Sequence, residues 1–116
     1  MRFVNFSNHP SEKWCDEQRK AAEEYGEITD IPFPDVSPEA DESEIGVLAS
    51  GFVERILKLS PEAVMVQGEF TLAFAVVEML RANGIKCLAA CSKRLVQEHG
   101  DERTIRFEFV RYREYV

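Results

Sequence analysis

Histidine is scarce in this 116-residue sequence, which holds only His9 and His99. Cysteine is limited to Cys15, Cys87 and Cys91, at spacings that match no zinc module. A zinc or iron centre therefore has no recognisable ligand set, and no metal or cofactor is expected. The three thiols are an odd number and are expected to stay reduced. Also missing are G-x-G-x-x-G and G-x-x-x-x-G-K-[ST], which removes the usual dinucleotide and P-loop triphosphate sites. No apolar run approaches the roughly 20 residues that span a bilayer. Met1-Arg2-Phe3-Val4-Asn5 leads straight into a strand-like segment with no signal-peptide core, so a cytoplasmic protein is expected. Positive charge is in deficit: 14 Lys and Arg stand against 21 Asp and Glu, a net charge of −7. That balance argues against sequence-tolerant binding of long nucleic acid. A small nucleotide, held by one cluster of amides and a cation or two, stays open.

What the sequence does contain is an alternation of short apolar segments with helical patterns. Arg2 to Phe6 reads as a first strand, closed by Ser7-Asn8-His9-Pro10. Ser11 can cap the next helix, whose Trp14, Gln18, Ala21, Ala22 and Tyr25 recur at helical spacing, with Gly26 in the position of a left-handed C′ residue. Glu27 to Phe33 gives a second, proline-limited strand. Asp41-Glu42-Ser43-Glu44 is a capping-box variant ahead of a helix striped by Ile45, Leu48, Ala49, Phe52, Ile56 and Leu59. Gly46 and Gly51 within it suggest close packing against a sheet. Ala63 to Val66 is apolar at every position and is expected at the sheet centre, covered on both faces. The helix from Phe70 to Asn83 is apolar almost all round and is expected to be deeply buried, with a subunit contact as one reason. Ile85 to Ala90 makes a fourth strand. Cys87 and Cys91 would share a face if that strand ran on, and packing is the expected role of both.

The tail breaks the rhythm. Leu95 and Val96, then Ile105, Phe107, Phe109 and Tyr112, flank His99-Gly100-Asp101-Glu102 and suggest a hairpin, with a short helix over Leu95 to Glu98 as the alternative. The whole is expected to be one domain over residues 1–116: a Rossmann-like three-layer α/β fold, mainly parallel, with a C-terminal β-hairpin at the sheet edge.

In such a sheet a ligand lies beyond the carboxyl ends of the strands, near the point where strand order reverses. Three segments are candidates for that edge: Ser7-Asn8-His9, Gln67-Gly68-Glu69 with Thr71, and Cys91-Ser92-Lys93-Arg94. They offer donors, an imidazole and two cations. Glu69 is awkward there, because a carboxylate suits a helix start but repels a phosphate, so it either points away or meets a ribose hydroxyl.

The opening strand with Asn5-Phe6-Ser7-Asn8-His9-Pro10, the Gln67-Gly68-Glu69-Phe70-Thr71 turn, Ala90-Cys91-Ser92-Lys93-Arg94 and the terminal Phe109-Val110-Arg111-Tyr112-Arg113-Glu114-Tyr115 run the length of the chain. Together they resemble the small stand-alone CRISPR-associated proteins related to CARF domains. The resemblance implies recognition of cyclic oligoadenylate, the second messenger of type III CRISPR systems, across a homodimer. Some relatives are ring nucleases that open the messenger without metal, by attack of a ribose 2′-hydroxyl on the neighbouring phosphate, and others mainly bind it. Under that reading Ser7, Asn8, Gly68 and Thr71 hold phosphate, Gln67, Glu69 and Ser92 complete the ligand contacts, Lys93 or Arg94 stabilises charge, and His9 assists proton transfer. A binding module without turnover and a structural dimer remain alternatives.

Overall fold

The computed structural model describes residues 1–116 as five strands and three helices. β1 (Arg2–Ser7) is followed by a 3-10 turn over Ser11–Lys13, α1 (Asp16–Glu23) and β2 (Glu27–Pro32). Then come α2 (Glu42–Leu57), β3 (Ala63–Val66), α3 (Phe70–Ala82), β4 (Lys86–His99) and β5 (Glu102–Glu114). They form one sheet of order β2-β1-β3-β4-β5, in which β1 to β4 run parallel and β5 returns antiparallel to β4. The expected mainly parallel α/β sheet with a terminal hairpin is therefore the observed fold.

Each face of the sheet is covered by a different helical layer. Val4, Phe6, Val64 and Val66 point toward α2 and α3, where Ala49, Val53, Ile56, Leu72, Val76 and Leu80 complete the larger core. Phe3, Ala63, Met65 and Leu88 point the other way, against Ala22 of α1 with Trp14 and Tyr112. All four residues of β3 are buried, which is why that strand shows no alternation in sequence. Burying both faces of β1 and β3 is the main hydrophobic gain of the fold, at about 25 cal/mol per Å² of apolar surface.

Local signals explain most boundaries. Asp41 caps α2, its carboxylate accepting from the Glu44 N–H at 2.8 Å. Ser11 does not cap α1: the chain first makes the 3-10 turn, and Cys15 becomes the N-cap with no side-chain bond. The reason is Trp14, which is buried against Phe3 and donates Nε1–H to the His9 carbonyl at 3.0 Å, so the chain must fold in before the helix starts. Gly26 has φ 151°, outside the left-handed helical well, because the backbone there presses on the start of β1; a Cβ would sit 2.5 Å from the Met1 carbonyl carbon.

Two expectations about packing are corrected. Gly46 and Gly51 do not abut the sheet, since a Cβ at either would meet nothing within 4 Å. Their helical cost is uncompensated, so Gly46→Ala and Gly51→Ala are each expected to stabilise the protein by about 0.5–1 kcal/mol, read as higher urea midpoints at unchanged m-value. Helix α3 is not buried all round either. Leu72, Val76 and Leu80 face the core, while Phe70 and Phe74, one turn apart, are 89% and 68% exposed.

The extent of the hairpin's first strand is the third difference. β4 does not stop at Ala90 but runs fourteen residues to His99, and the helical alternative over Leu95 to Glu98 is not formed. It pairs with β3 only through Leu88, so from about Cys91 onward β5 is its sole neighbour and the two strands leave the body as an arm. The register shifts beside Cys91 and Ser92, where Val110 is an extra residue on β5. That bulge explains how Phe109 and Tyr112, three apart, both pack on the α1 side with ring centroids 5.1 Å apart.

Cys87 is buried beneath α3, and burial pushes its thiol up to about 11 from an ordinary 9.0, with Arg81 opposing and Glu114 reinforcing the shift. Its folded value lies above its unfolded one, so this contribution to stability is complete below pH 9 and is lost as pH rises through about 11. Tyr112, raised chiefly by burial, acts in the same direction. Urea midpoints are therefore expected to fall between pH 9 and 11, and Cys87→Ala to flatten the fall by up to about 2 kcal/mol.

Candidate functional site

β1 sits between β2 and β3, and the chain leaves it toward opposite faces of the sheet: through α1 to β2, and after β2 through α2 to β3. The backbone shows the parting directly. The Ser7 carbonyl accepts from Phe33 N–H at 3.2 Å, while the Phe6 carbonyl accepts from Gln67 N–H at 3.2 Å. In a doubly wound sheet this switch point leaves an uncovered crevice beyond the strand ends. A cavity of about 460 Å³ lies there.

Its walls come from four places. Ser7 ends β1 and Asn8 and His9 follow it, Gln67 and Gly68 follow β3, Ala90 and Ser92 belong to β4, and Gln18 of α1 and Met65 of β3 complete the lining. Six residues singled out in the sequence thus meet at one cavity: Ser7, Asn8, His9, Gln67, Gly68 and Ser92. The other four do not line it. Glu69 turns back on its own helix, accepting from the Thr71 N–H at 3.0 Å and the Leu72 N–H at 2.9 Å, and it also holds the Thr71 hydroxyl. These bonds, the Thr71 hydroxyl first, keep the carboxyl below its ordinary range, so it stays ionised. The leading amides of α3 are therefore already satisfied by Glu69, and Thr71 is occupied with it. Lys93 and Arg94 stand on the exposed arm. The segment expected to be a turn after β4 is strand, because Cys91 to Arg94 find ladder partners from Arg111 to Phe107.

A polar lattice fixes the β1 side of the crevice. Asn5, only 1% exposed, donates Nδ2–H to the His9 carbonyl at 2.9 Å and to Asp30 Oδ1 at 3.2 Å, and its Oδ1 accepts from the Ser7 hydroxyl at 2.6 Å. Ser7 Oγ in turn accepts from the His9 N–H at 3.1 Å, and Asp30 Oδ2 from the Ser11 N–H at 3.0 Å. The turn is thereby tied to β1, β2 and, through Trp14, to the approach to α1. Ser7 is consumed by this lattice: its hydroxyl shapes the turn and is not free for a ligand.

On the β3 side, Gln67 Oε1 accepts from the Ala90 N–H at 2.7 Å, which fixes the amide and leaves its NH2 group free. Gln18 is 8% exposed, and its one side-chain contact is a weak one from Nε2 to the Met65 sulfur at 3.8 Å, so its Oε1 has no partner. The Asn8 amide, the His9 imidazole and the Ser92 hydroxyl make no bond within the chain. Free groups of both polarities thus face a crevice with no Lys, Arg, Asp or Glu on its wall. No group of three His, Cys, Asp or Glu side chains is placed to hold a metal ion. Gln18, Asn5 and Asp30 were not legible as site residues. Asn5 alone left a trace, as the one polar residue inside Phe3-Val4-Asn5-Phe6.

Fold and crevice together define a doubly wound α/β domain with a neutral crevice lined by hydrogen-bonding side chains at its switch point. Residues 1–113 match the model of the uncharacterized protein MJ1673 family, and the chain belongs to that family. No curated protein matches it. No helix is long and apolar enough to cross a membrane.

Proposed function

We propose that this chain binds a small nucleotide in the crevice between the ends of β1 and β3. The observation that carries this reading is the convergence of the free Asn8, His9, Gln18, Gln67 and Ser92 groups on one cavity of about 460 Å³. Amide side chains suit the edge of a base, which offers donor and acceptor side by side. The specific ligand implied by the resemblance to CARF-related proteins is cyclic oligoadenylate, bound by a homodimer in the cytoplasm, with cleavage as an off-switch for antiviral signalling. Cleavage would proceed by attack of a ribose 2′-oxygen on the adjacent phosphorus, breaking its bond to the 5′-oxygen. The products are a 2′,3′-cyclic phosphate and a free 5′-hydroxyl, which takes up a proton. His9 is the titratable group on the crevice wall and would accept the 2′-hydroxyl proton, while Asn8, Gln67 and Ser92 donate to the phosphate oxygens.

A second reading, binding without turnover, is favoured by the missing cation. Lys93 and Arg94 lie out on the arm, so nothing positive on the wall opposes charge developing at phosphorus. Incubation with cyclic tetra- and hexa-adenylate in EDTA, followed by chromatography, separates the two. Linear products with 2′,3′-cyclic phosphate ends, formed about 100-fold more slowly by His9→Ala, are expected of a ring nuclease. Intact ligand retained by the protein identifies a binding module. If neither ring is retained nor shifts the melting temperature, cyclic oligoadenylate is not the ligand.

A further inference from the structure

The hairpin arm has one aromatic face. Across the ladder of β4 and β5, Ser92 is opposite Phe109, Arg94 opposite Phe107 and Val96 opposite Ile105. Opposed residues of a ladder and alternate residues of a strand point to one side, so these six side chains share a face. Phe109 fixes which face it is. Its ring packs on Tyr112 on the α1 side of the sheet, the side from which Gln18 and Met65 line the crevice. Ser92 is itself on the crevice wall. Arg94 follows it by one alternation, about 7 Å along the strand, and Phe107 is the diagonal cross-strand neighbour of Ser92 at about 7–8 Å.

A second cavity, of about 380 Å³, opens there between the arm and the start of α1. Phe107 and Phe109 line it from the arm, with Arg106 and Glu108, and Cys15 and Glu17 line it from the helix. It adjoins the crevice along both walls, because Phe109 is opposite Ser92 on the arm and Glu17 precedes Gln18 on α1. The two cavities differ in chemistry. The crevice has hydrogen-bonding groups and no aromatic ring, whereas the second cavity presents Phe107, 69% exposed. The Glu17 carboxyl is held below its ordinary range by its own backbone N–H first and the Cys15 thiol second, so it is an ionised acceptor. An exposed ring suits the face of a nucleobase, and a carboxylate accepts from an exocyclic amino group. The same carboxylate repels phosphate. Arg94, which is in no ion pair, is the cation on this face nearest the crevice.

We propose that the groove between α1 and the arm is a second base subsite: a nucleotide joined to the one in the crevice stacks its base on Phe107, and Arg94 pairs with the phosphate that links the two. The subsite rests on the reading of the crevice as a nucleotide site, and it gives the arm a part in that site. It also accounts for the arm's one solvent-facing ring, since an aromatic side chain on a two-stranded ribbon gains little from its own chain. Stacking is tolerant of base identity, so selectivity stays with the amides of the crevice and with Glu17.

Calorimetric titration in EDTA with adenosine 5′-monophosphate and with linear 5′-phosphorylated diadenylate tests it. The wild type is expected to bind the diadenylate about tenfold more tightly than the mononucleotide, the contribution of one stacked base. Phe107→Ala and Phe107→Leu are each expected to remove that gain and to leave mononucleotide affinity and far-UV circular dichroism unchanged, since the side chain is exposed. Phe107→Trp is expected to keep it, because the gain depends on a ring and not on apolar area alone. Arg94→Ala is expected to weaken diadenylate binding and to lower the slope of log affinity against log salt by about 0.7. If the wild type binds both ligands equally, or Phe107→Ala keeps the gain, the proposal is overturned while the crevice reading stands. If neither ligand binds, the crevice reading fails and the subsite fails with it. Sedimentation velocity on the same variants checks the other occupant of this face: a dimer that Phe107→Ala dissociates, with diadenylate affinity unchanged, makes the face a subunit contact and overturns the proposal.

Discussion

Asn5→Ala is expected to lower stability by about 3 kcal/mol and to loosen the turn that forms one wall of the crevice. Three hydrogen bonds meet at this side chain, and the one to Ser7 joins two buried residues, so water does not replace it. The Ser7 hydroxyl and the Asp30 carboxylate each lose a donor or an acceptor, and the His9 carbonyl keeps only Trp14 as its strong donor. Ser7 is the buried partner, and leaving its hydroxyl without an acceptor costs about 1–3 kcal/mol, offset in part because it retains its bond from the His9 N–H, while the exposed Asp30 and His9 each forfeit a bond of about 1 kcal/mol. A fall of about 10–15 °C in the melting temperature follows for a domain of this size. Asn5→Asp discriminates this lattice from simple packing. Its new carboxylate would face Asp30 Oδ1 where the amide stood at 3.2 Å, so its pKa is raised above the unfolded value. The variant is then expected to be most stable in acid and to lose stability as pH rises toward neutrality, the opposite of an ordinary paired carboxylate. A pH-independent loss in both variants would show that the lattice contributes only volume.

The lattice also marks the limit of what the sequence could say about this site. Strands β1 and β3 were legible because burial on two faces demands unbroken apolar runs, and the loops after them followed from Pro10 and Gly68. Strand order placed those loops together, which is why Asn8, His9 and Gln67 converge. Gln18 comes from α1, where the stripe of Trp14, Gln18, Ala21, Ala22 and Tyr25 already put it on the packed face; what that pattern does not carry is that this part of the face borders the crevice. The run from Cys91 to Arg94 was misleading for the converse reason. Cys91 to Arg94 show neither the apolar run nor the alternation by which strands are recognised, although β5 opposite them alternates at Ile105, Phe107 and Phe109. Lys93 and Arg94 therefore looked like a turn at the strand end and in fact ride outward along the arm. For Glu69 the sequence posed two orientations. Thr71 two residues on, with the Leu72 N–H beyond it, gave the carboxylate a local set of donors that the helix start was bound to supply.

Gly68→Ala is expected to cost about 2 kcal/mol although Gly68 lies on the surface. A Cβ there would fall 2.5 Å from the Phe33 ring, and two further ring carbons lie at 2.6 Å. Phe33 cannot retreat: it is buried and stacked on Phe6 with centroids 4.8 Å apart, and Phe6 in turn meets Phe52 of α2 at 4.9 Å. The glycine is thus required first by a flat ring under the turn, and the same absence of a side chain keeps the crevice mouth open above it. Phe33→Leu removes the flat obstacle at a cost of its own, about 1–2 kcal/mol of lost packing. If the clash is the cause, the double variant Gly68→Ala with Phe33→Leu is less destabilised than the sum of the two single changes, by a coupling of about 1 kcal/mol or more. Strict additivity would assign the cost of Gly68→Ala to the turn's backbone and free Phe33 of any part in shaping the site. Ligand affinity supplies the second axis. The double variant restores the turn but leaves a methyl group at the mouth, so it is expected to recover stability without recovering the nucleotide binding proposed for the crevice.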